Sequence, residues 1–132
     1  MSEMVWMLIE NEGAVLLAQR KQESEVFAGR WTLPGDVQNE EESASDTLAR
    51  VAAQDFGVEL QGEEFVEKLY VSTGGRQHQI DVYRVGFEGN PRFRESGPYE
   101  EVGWAEPAEL DDLDIEIPAA LREFLVRLGG GD

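Results

Sequence analysis

Residues 31–60 read WTLPGDVQNEEESASDTLARVAAQDFGVEL. A short apolar run, Trp31-Thr32-Leu33, is stopped by Pro34-Gly35, a strong breaker of regular structure. Residues 36–42 form an acidic stretch that reads as loop. After it Ala44, Leu48, Ala52 and Phe56 recur at four-residue spacing, with Leu48 and Val51 three apart. This period predicts an amphipathic helix over residues 43–56. Ser43 with Asp46 has the form of a capping box, with aspartate in place of the usual glutamate or glutamine. Gly57 suits the left-handed position that closes a helix. The stretch is therefore strand, turn, acidic loop and helix.

The pattern extends in both directions. In residues 4–10, Val5, Met7 and Ile9 alternate with Met4, Trp6 and Leu8, so both faces of the strand are apolar and it belongs in the middle of a sheet. Asn11-Glu12-Gly13 is a turn signal, and residues 14–20 continue as a second strand, predicting a hairpin. Residues 21–30 read as loop. Two further strands, 64–72 and 77–87, flank the turn Thr73-Gly74-Gly75-Arg76. Residues 88–99 read as loop, 101–105 as a short strand and 107–110 as a first helical turn. Pro118 opens a last helix with Leu121, Phe124, Leu125 and Leu128 on one face, and residues 129–132 read as a frayed tail. Strands and helices interleave, which predicts an α/β fold with a mixed sheet covered by helices on both faces. No repeat and no sharp shift of composition divides the 132 residues, so a single domain over 1–132 is expected.

Composition narrows the function. The chain has no cysteine, which excludes disulfides, thiolate metal sites and cysteine nucleophiles. Acidic residues number 28 against 11 basic ones, and only Lys21 and Lys68 are lysines. A net charge of −17 repels nucleic-acid backbones, so no nucleic-acid partner is expected. Most of these acids make a solvated acidic surface; a handful are candidates for binding divalent cations. The first residues lack a signal-peptide pattern, and no apolar run reaches the ~20 residues of a membrane span. A soluble cytoplasmic protein without a membrane partner is expected.

The 31–60 stretch resembles the Nudix box, whose family pattern is G-x5-E-x7-R-E-U-x-E-E-x-G-U, with U aliphatic. The likeness extends to the Trp31–Gly35 lead-in, to the strand His78-Gln79-Ile80-Asp81-Val82-Tyr83, and to the tail from Glu101-Val102-Gly103-Trp104 to Glu109-Leu110. It implies a Nudix-type α/β/α sandwich. Laid down without gaps, the pattern is matched by Glu42, Arg50, Gly57 and Val58, with Asp55 a shortened match. It is not matched by Asp36 for the opening glycine, or by Val51 and Gln54 for two of the glutamates. Positions 51, 54 and 55 stand at i, i+3 and i+4 and share one helix face. The family uses that face as a carboxylate cluster for divalent metals, which want oxygen ligands. Here one of three carboxylates remains.

The resemblance implies the chemistry of hydrolases that cleave a nucleoside diphosphate linked to another group, with Mg²⁺ or Mn²⁺ if the protein is active and no cofactor if it is not. Glu42 and Asp55 are the candidate metal ligands and catalytic carboxylates. Glu100 and Glu101, just before Trp104, stand where the family often supplies a late glutamate. They also belong to a run, residues 95–116, with nine acids and no base, which reads equally as a solvated stretch. Asp55 reads equally as a helix-face charge. Glu42 with Arg50 is implied as an ion pair that holds the loop to the helix. Arg20, Arg30 and Arg76 are candidate phosphate contacts, because guanidinium forks suit phosphate oxygens. His78 is the only histidine and cannot build a histidine metal site. Trp6, Trp31, Tyr70 and Tyr83 are candidates for stacking on a base or for the core. Two functions follow: a hydrolase of nucleotide-type small molecules with weakened or lost activity, or a non-catalytic Nudix-fold module that binds a nucleotide or a protein. The oligomeric state stays open, a homodimer included.

Overall fold

The computed structural model describes residues 4–24, 26–73, 75–89, 92, 97–113 and 115–130. Gly74 of the expected turn, most of the loop before residue 97, and the last two residues lie outside them. The elements run β1 (Met4–Leu8), β2 (Glu10–Asn11), β3 (Ala14–Arg20), β4 (Trp31–Thr32), β5 (Gly35–Val37), α1 (Ala44–Phe56), β6 (Leu60–Thr73), β7 (Arg76–Phe87), β8 (Tyr99–Ala105), a 3₁₀ turn (Pro107–Asp112) and α2 (Ala119–Gly130).

A four-stranded sheet has the order β5-β1-β7-β6. Its β1/β7 pair is parallel and its other pairs are antiparallel. Every residue of β1 is buried, as the two apolar faces of its sequence require. Met4, Trp6 and Leu8 point into one core with Ile80, Val82 and the α2 residues Leu121, Phe124 and Leu125. Val5 and Met7 point into another with the α1 residues Leu48, Val51, Ala52 and Phe56. Burying a side chain of this size stabilises the fold by about 1.5–3 kcal/mol, so a polar group on either face of β1 would disrupt a whole layer. The α/β sandwich expected from the sequence is present.

Three expectations are corrected. The first strands were expected to form one hairpin, yet only Glu10 and Asn11 pair with Val15 and Ala14. The chain turns through Glu12 and Gly13, both at positive φ, in the manner of a tight hairpin turn. Before it, β1 stays in the first sheet. After it, β3 enters a second sheet with β2, β4 and β8. Pro34-Gly35 was expected as a stop and residues 36–42 as loop, yet Gly35–Val37 form β5 against β1, with Gly35 opposite Trp6. Gly35 lies so close to the Val5 carbonyl and the Trp6 backbone that a Cβ has no room there. That close approach is what lets this sheet edge form. At the other end of the chain, α2 continues through Gly130, where a frayed tail was expected from residue 129. Pro107 packs against Gly129.

Helix α1 forms as its sequence dictates. Ser43 caps it, accepting from the Asp46 N–H at 3.1 Å, and Asp46 accepts from the Ser43 N–H at 3.1 Å. Gly57 closes it at φ 67. Thr47, Leu48, Val51, Ala52 and Phe56 are its buried face.

Candidate functional site

The acidic loop is tied to α1 by Arg50. Its Nε donates to Glu42 Oε2 at 2.8 Å, and its Nη2 donates to Glu42 Oε1 at 3.0 Å and to the Val37 carbonyl at 3.2 Å. Its Nη1 donates to Asp36 Oδ2 at 3.0 Å. Glu42 Oε1 also accepts from Thr47 Oγ1 at 3.1 Å and from the Asn39 N–H at 3.2 Å. The Arg50 hydrogen bonds, chiefly, hold Glu42 down to about 2, well below an ordinary carboxylate. Glu42 raises Arg50 in turn. Donors that favour the charged form of a carboxylate lower its pKa in this way.

Asp36, which stands where the family pattern opens with glycine, is bound on both sides. One oxygen accepts from Arg50, and the other accepts from the Val37 N–H at 2.8 Å and lies 3.9 Å from Arg20 Nη2. Arg20 was expected among the phosphate contacts; the structure buries it, with 4% of its surface exposed. Its Nη1 donates to the Gly35 carbonyl at 3.1 Å and its Nε to Ser24 Oγ at 3.0 Å. The guanidinium lies over the Tyr99 ring, 5.7 Å from its centroid.

Tyr99 is the residue that the sequence reading missed. It is fully buried, stacks on Phe56 at 5.7 Å and closes a ring of hydrogen bonds with Gly35. The Gly35 N–H donates to Tyr99 Oη at 2.9 Å, and the hydroxyl lies 3.1 Å from the Gly35 carbonyl. The same hydroxyl favours the charged form of the nearby Asp55. Burial raises Tyr99 far above an ordinary phenol. Residues 88–99 were expected as loop, yet β8 begins at Tyr99, which pairs with Arg20.

The helix face expected at positions 51, 54 and 55 is divided by burial. Val51 is 1% exposed, in the core with Tyr99 and Leu48. Gln54 is exposed and Asp55 is half-buried at the rim. Burial, and then the nearby Asp36 charge, push Asp55 up to about 6, against the pull of Tyr99, Arg20 and Arg50. Glu100 and Glu101 are exposed on β8, while their neighbour Tyr99 is buried. Arg30 is partly exposed beside Trp31, and Arg76 is exposed at the start of β7. His78 is buried against Phe27, with ring centroids 5.1 Å apart. Trp6 is fully buried, while Tyr70 is about half exposed.

A divalent metal would need several uncommitted anionic oxygens in one place. Glu42 and Asp36 are paired with Arg50, Asp46 of α1 is used in the helix cap, and Asp55 is the other α1 carboxylate. Among the described residues no three His, Cys, Asp or Glu side chains converge to hold a metal ion. At positions 51, 54 and 55 the helix face supplies one carboxylate, Asp55. A separate cavity of about 420 Å³ is lined by Gln19, Gln22, Ala28, Gly29, Trp31, Ile115 and Glu116. It offers a partly exposed indole together with amide and carboxylate groups.

Comparison with known proteins places this geometry in context. A family model described as NUDIX domain matches residues 4–127. CTP pyrophosphohydrolase of Escherichia coli is 30% identical over 110 residues, covering 83% of this chain and 78% of that protein. Nucleoside triphosphatase NudI of Escherichia coli is 25% identical over 120 residues, covering 83% and 85%. Among solved structures, the MutT protein from Methanosarcina mazei superposes with a TM-score of 0.81 at 24% identity, covering 97% of this chain and 92% of its own. The MutT NUDIX hydrolase from Burkholderia pseudomallei gives 0.77 at 26% identity, covering 96% and 97%. No helix among the described residues is long and apolar enough to cross a membrane.

Proposed function

This chain belongs to the Nudix family, and we propose from that premise that it takes a nucleotide-type small molecule but has lost most or all of the family's metal-dependent hydrolysis. The observation that carries the reading is the burial of Val51, 1% exposed in the α1 core. A carboxylate is missing from the centre of the face, not merely turned away from it. Gln54 is neutral, so Asp55 stands alone, and burial and Asp36 press it toward its uncharged form.

A bound metal contributes several kcal/mol of transition-state stabilisation in phosphoryl chemistry. Each ~1.4 kcal/mol is about a factor of ten in rate. Turnover falls by orders of magnitude when that contribution is lost. A polar ligand is supported by the cavity beside β4, where Gln22 and Glu116 offer hydrogen-bonding groups. Arg30, a candidate phosphate contact, adjoins the lining residues Gly29 and Trp31 in the chain. The relatives named for CTP and nucleoside triphosphates support the same class.

The commitment of Asp36 and Glu42 to Arg50 also favours the second reading, a non-catalytic nucleotide- or protein-binding module: it gives the box residues a structural use that needs no turnover. One assay separates the two from an ordinary hydrolase. Nucleoside monophosphate release is measured from a panel of nucleoside triphosphates and nucleoside diphosphate derivatives, first with Mg²⁺ and then with Mn²⁺. Turnover in the usual range of ~1–1000 per second would refute the proposal. Slow, metal-stimulated release supports residual hydrolysis, and saturable nucleotide binding without release supports the module.

A further inference from the structure

Strand β6 is the last strand of its sheet, and its register with β7 sorts the side chains of the pair onto two faces. Leu69, Val71, Ile80 and Val82 go into the core under α2. On the other face the opposed pairs are Phe65 and Tyr83, Lys68 and Asp81, and Tyr70 and Gln79. Helix α1 covers this face over β1 and meets β6 at Glu63, whose carboxylate accepts from Ser45 Oγ at 2.7 Å. Beyond that point Phe65 and Tyr70 are 52% and 53% exposed. Phe65 stands edge-on to Tyr83, with 5.6 Å between ring centroids, and Lys68 Nζ lies 3.6 Å from Asp81 Oδ1. Exposed rings gathered on one sheet face mark an interaction surface. We propose that this face of β6 and β7 is where a second copy of the chain docks, as a weak two-fold dimer.

Charge selects the partner. The chain carries −17, yet these three rows hold one base, one acid and four uncharged residues. Each row runs across both strands, so a two-fold axis along the strands, midway between β6 and β7, reverses it. Each Lys68 then lies over the partner's Asp81, each Phe65 over the partner's Tyr83 and each Tyr70 over the partner's Gln79. No like charges meet in these rows, and the lysine of one copy answers the aspartate of the other. A basic partner would be drawn to the acidic surface elsewhere on the chain, not to a neutral aromatic face. Stacked sheets lie about 10 Å apart, a gap that side chains of this size fill. A two-fold contact uses the same patch on both copies. Six residues a side fall far short of the ~20–30 of a standard interface, so the dimer is weak. Repulsion between two bodies of −17 opposes it at long range and is screened by salt, so the dimer tightens as salt rises.

The test is sedimentation equilibrium of the full chain over a wide range of concentration, at low and at high salt. The wild type should pass from monomer to dimer as concentration rises, and should do so at lower concentration in high salt. Tyr70→Lys should weaken the dimer by at least about tenfold, the effect expected of a ring at the centre of an interface. Lys68→Glu sets acids over acids and Asp81→Lys sets lysines over lysines, so each variant should be monomeric alone. Mixed in equal amounts, they set the two acids of one chain over the two lysines of the other, and should form a dimer of one of each. A side chain needed only inside its own fold would not produce a dimer specific to the mixture. A wild type that stays monomeric throughout overturns the proposal and leaves the face to a different partner. A dimer that survives Lys68→Glu or Tyr70→Lys overturns it as well, as does a dimer that loosens when salt rises, or a mixture of folded variants that stays monomeric. If Asp81→Lys does not fold, Lys68→Glu and Tyr70→Lys, both at positions open to solvent, decide in the same way.

Discussion

Val51→Glu writes the family's glutamate back into the box, and the structure predicts that this alone destabilises the protein. Val51 is 1% exposed in a core with Val5, Leu48, Phe56 and Tyr99. A glutamate there avoids burying a charge only by taking up a proton. With an unfolded pKa near 4.3, staying neutral at pH 7 costs about 3.7 kcal/mol, at about 1.4 kcal/mol per pH unit. Fitting the longer side chain adds about 1–3 kcal/mol of overpacking. Together these approach the whole stability of an ordinary domain, about 5–15 kcal/mol. The sign is specific. A carboxyl whose folded pKa is raised costs nothing below its unfolded pKa, and its cost grows as pH rises above that value toward the folded one. Val51→Gln has nearly the same shape without the titration and serves as the control. Urea unfolding of both variants at pH 5 and pH 7 isolates the ionisation cost, which should shrink from about 3.7 to about 1 kcal/mol at the lower pH. An equal difference between the variants at the two pH values would refute the reasoning. It would mean that the new carboxylate is ionised in the fold, either reached by water or drawn to Arg20 or Arg50.

Two other substitutions test the site from different sides. Asp55→Asn removes a carboxyl that the fold holds up at about 6; since a raised folded pKa weakens the fold above the unfolded value, the variant should melt higher than wild type at pH 7, and the gap should narrow as pH falls from 6 toward 4. Melting curves across that range check it, and a lower melting temperature at pH 7 would show that the Tyr99 and arginine contacts outweigh burial. Gly35→Ala forces a Cβ into the Val5 carbonyl and the Trp6 backbone, so β5 must move; a loss of about 1–3 kcal/mol is expected, and an unchanged urea midpoint would refute the close packing of β5 on β1.

What the sequence settled by itself is what depends on near neighbours. Helix α1 was legible because its apolar period, its Ser43–Asp46 cap and its Gly57 stop all act within a few residues. The central place of β1 was legible because alternation on both faces leaves no side for water. The Glu42 and Arg50 contact lay within reach of the family likeness, since a fixed spacing of eight residues spans the loop-to-helix junction. Tertiary structure decided the rest. That β1 and β3 belong to different sheets, that residues 35–37 form a strand, and that Val51 lies inside while Gln54 lies outside all depend on which distant segment arrives. Tyr99 meets Gly35 across 64 residues, and Arg20 meets it across 15. Local propensity carries no record of such meetings, because the energy that selects them is burial and hydrogen bonding shared between segments that are strangers in sequence. The burial of Arg20 belongs to this second class: it looks like any surface arginine until the sheet closes over it.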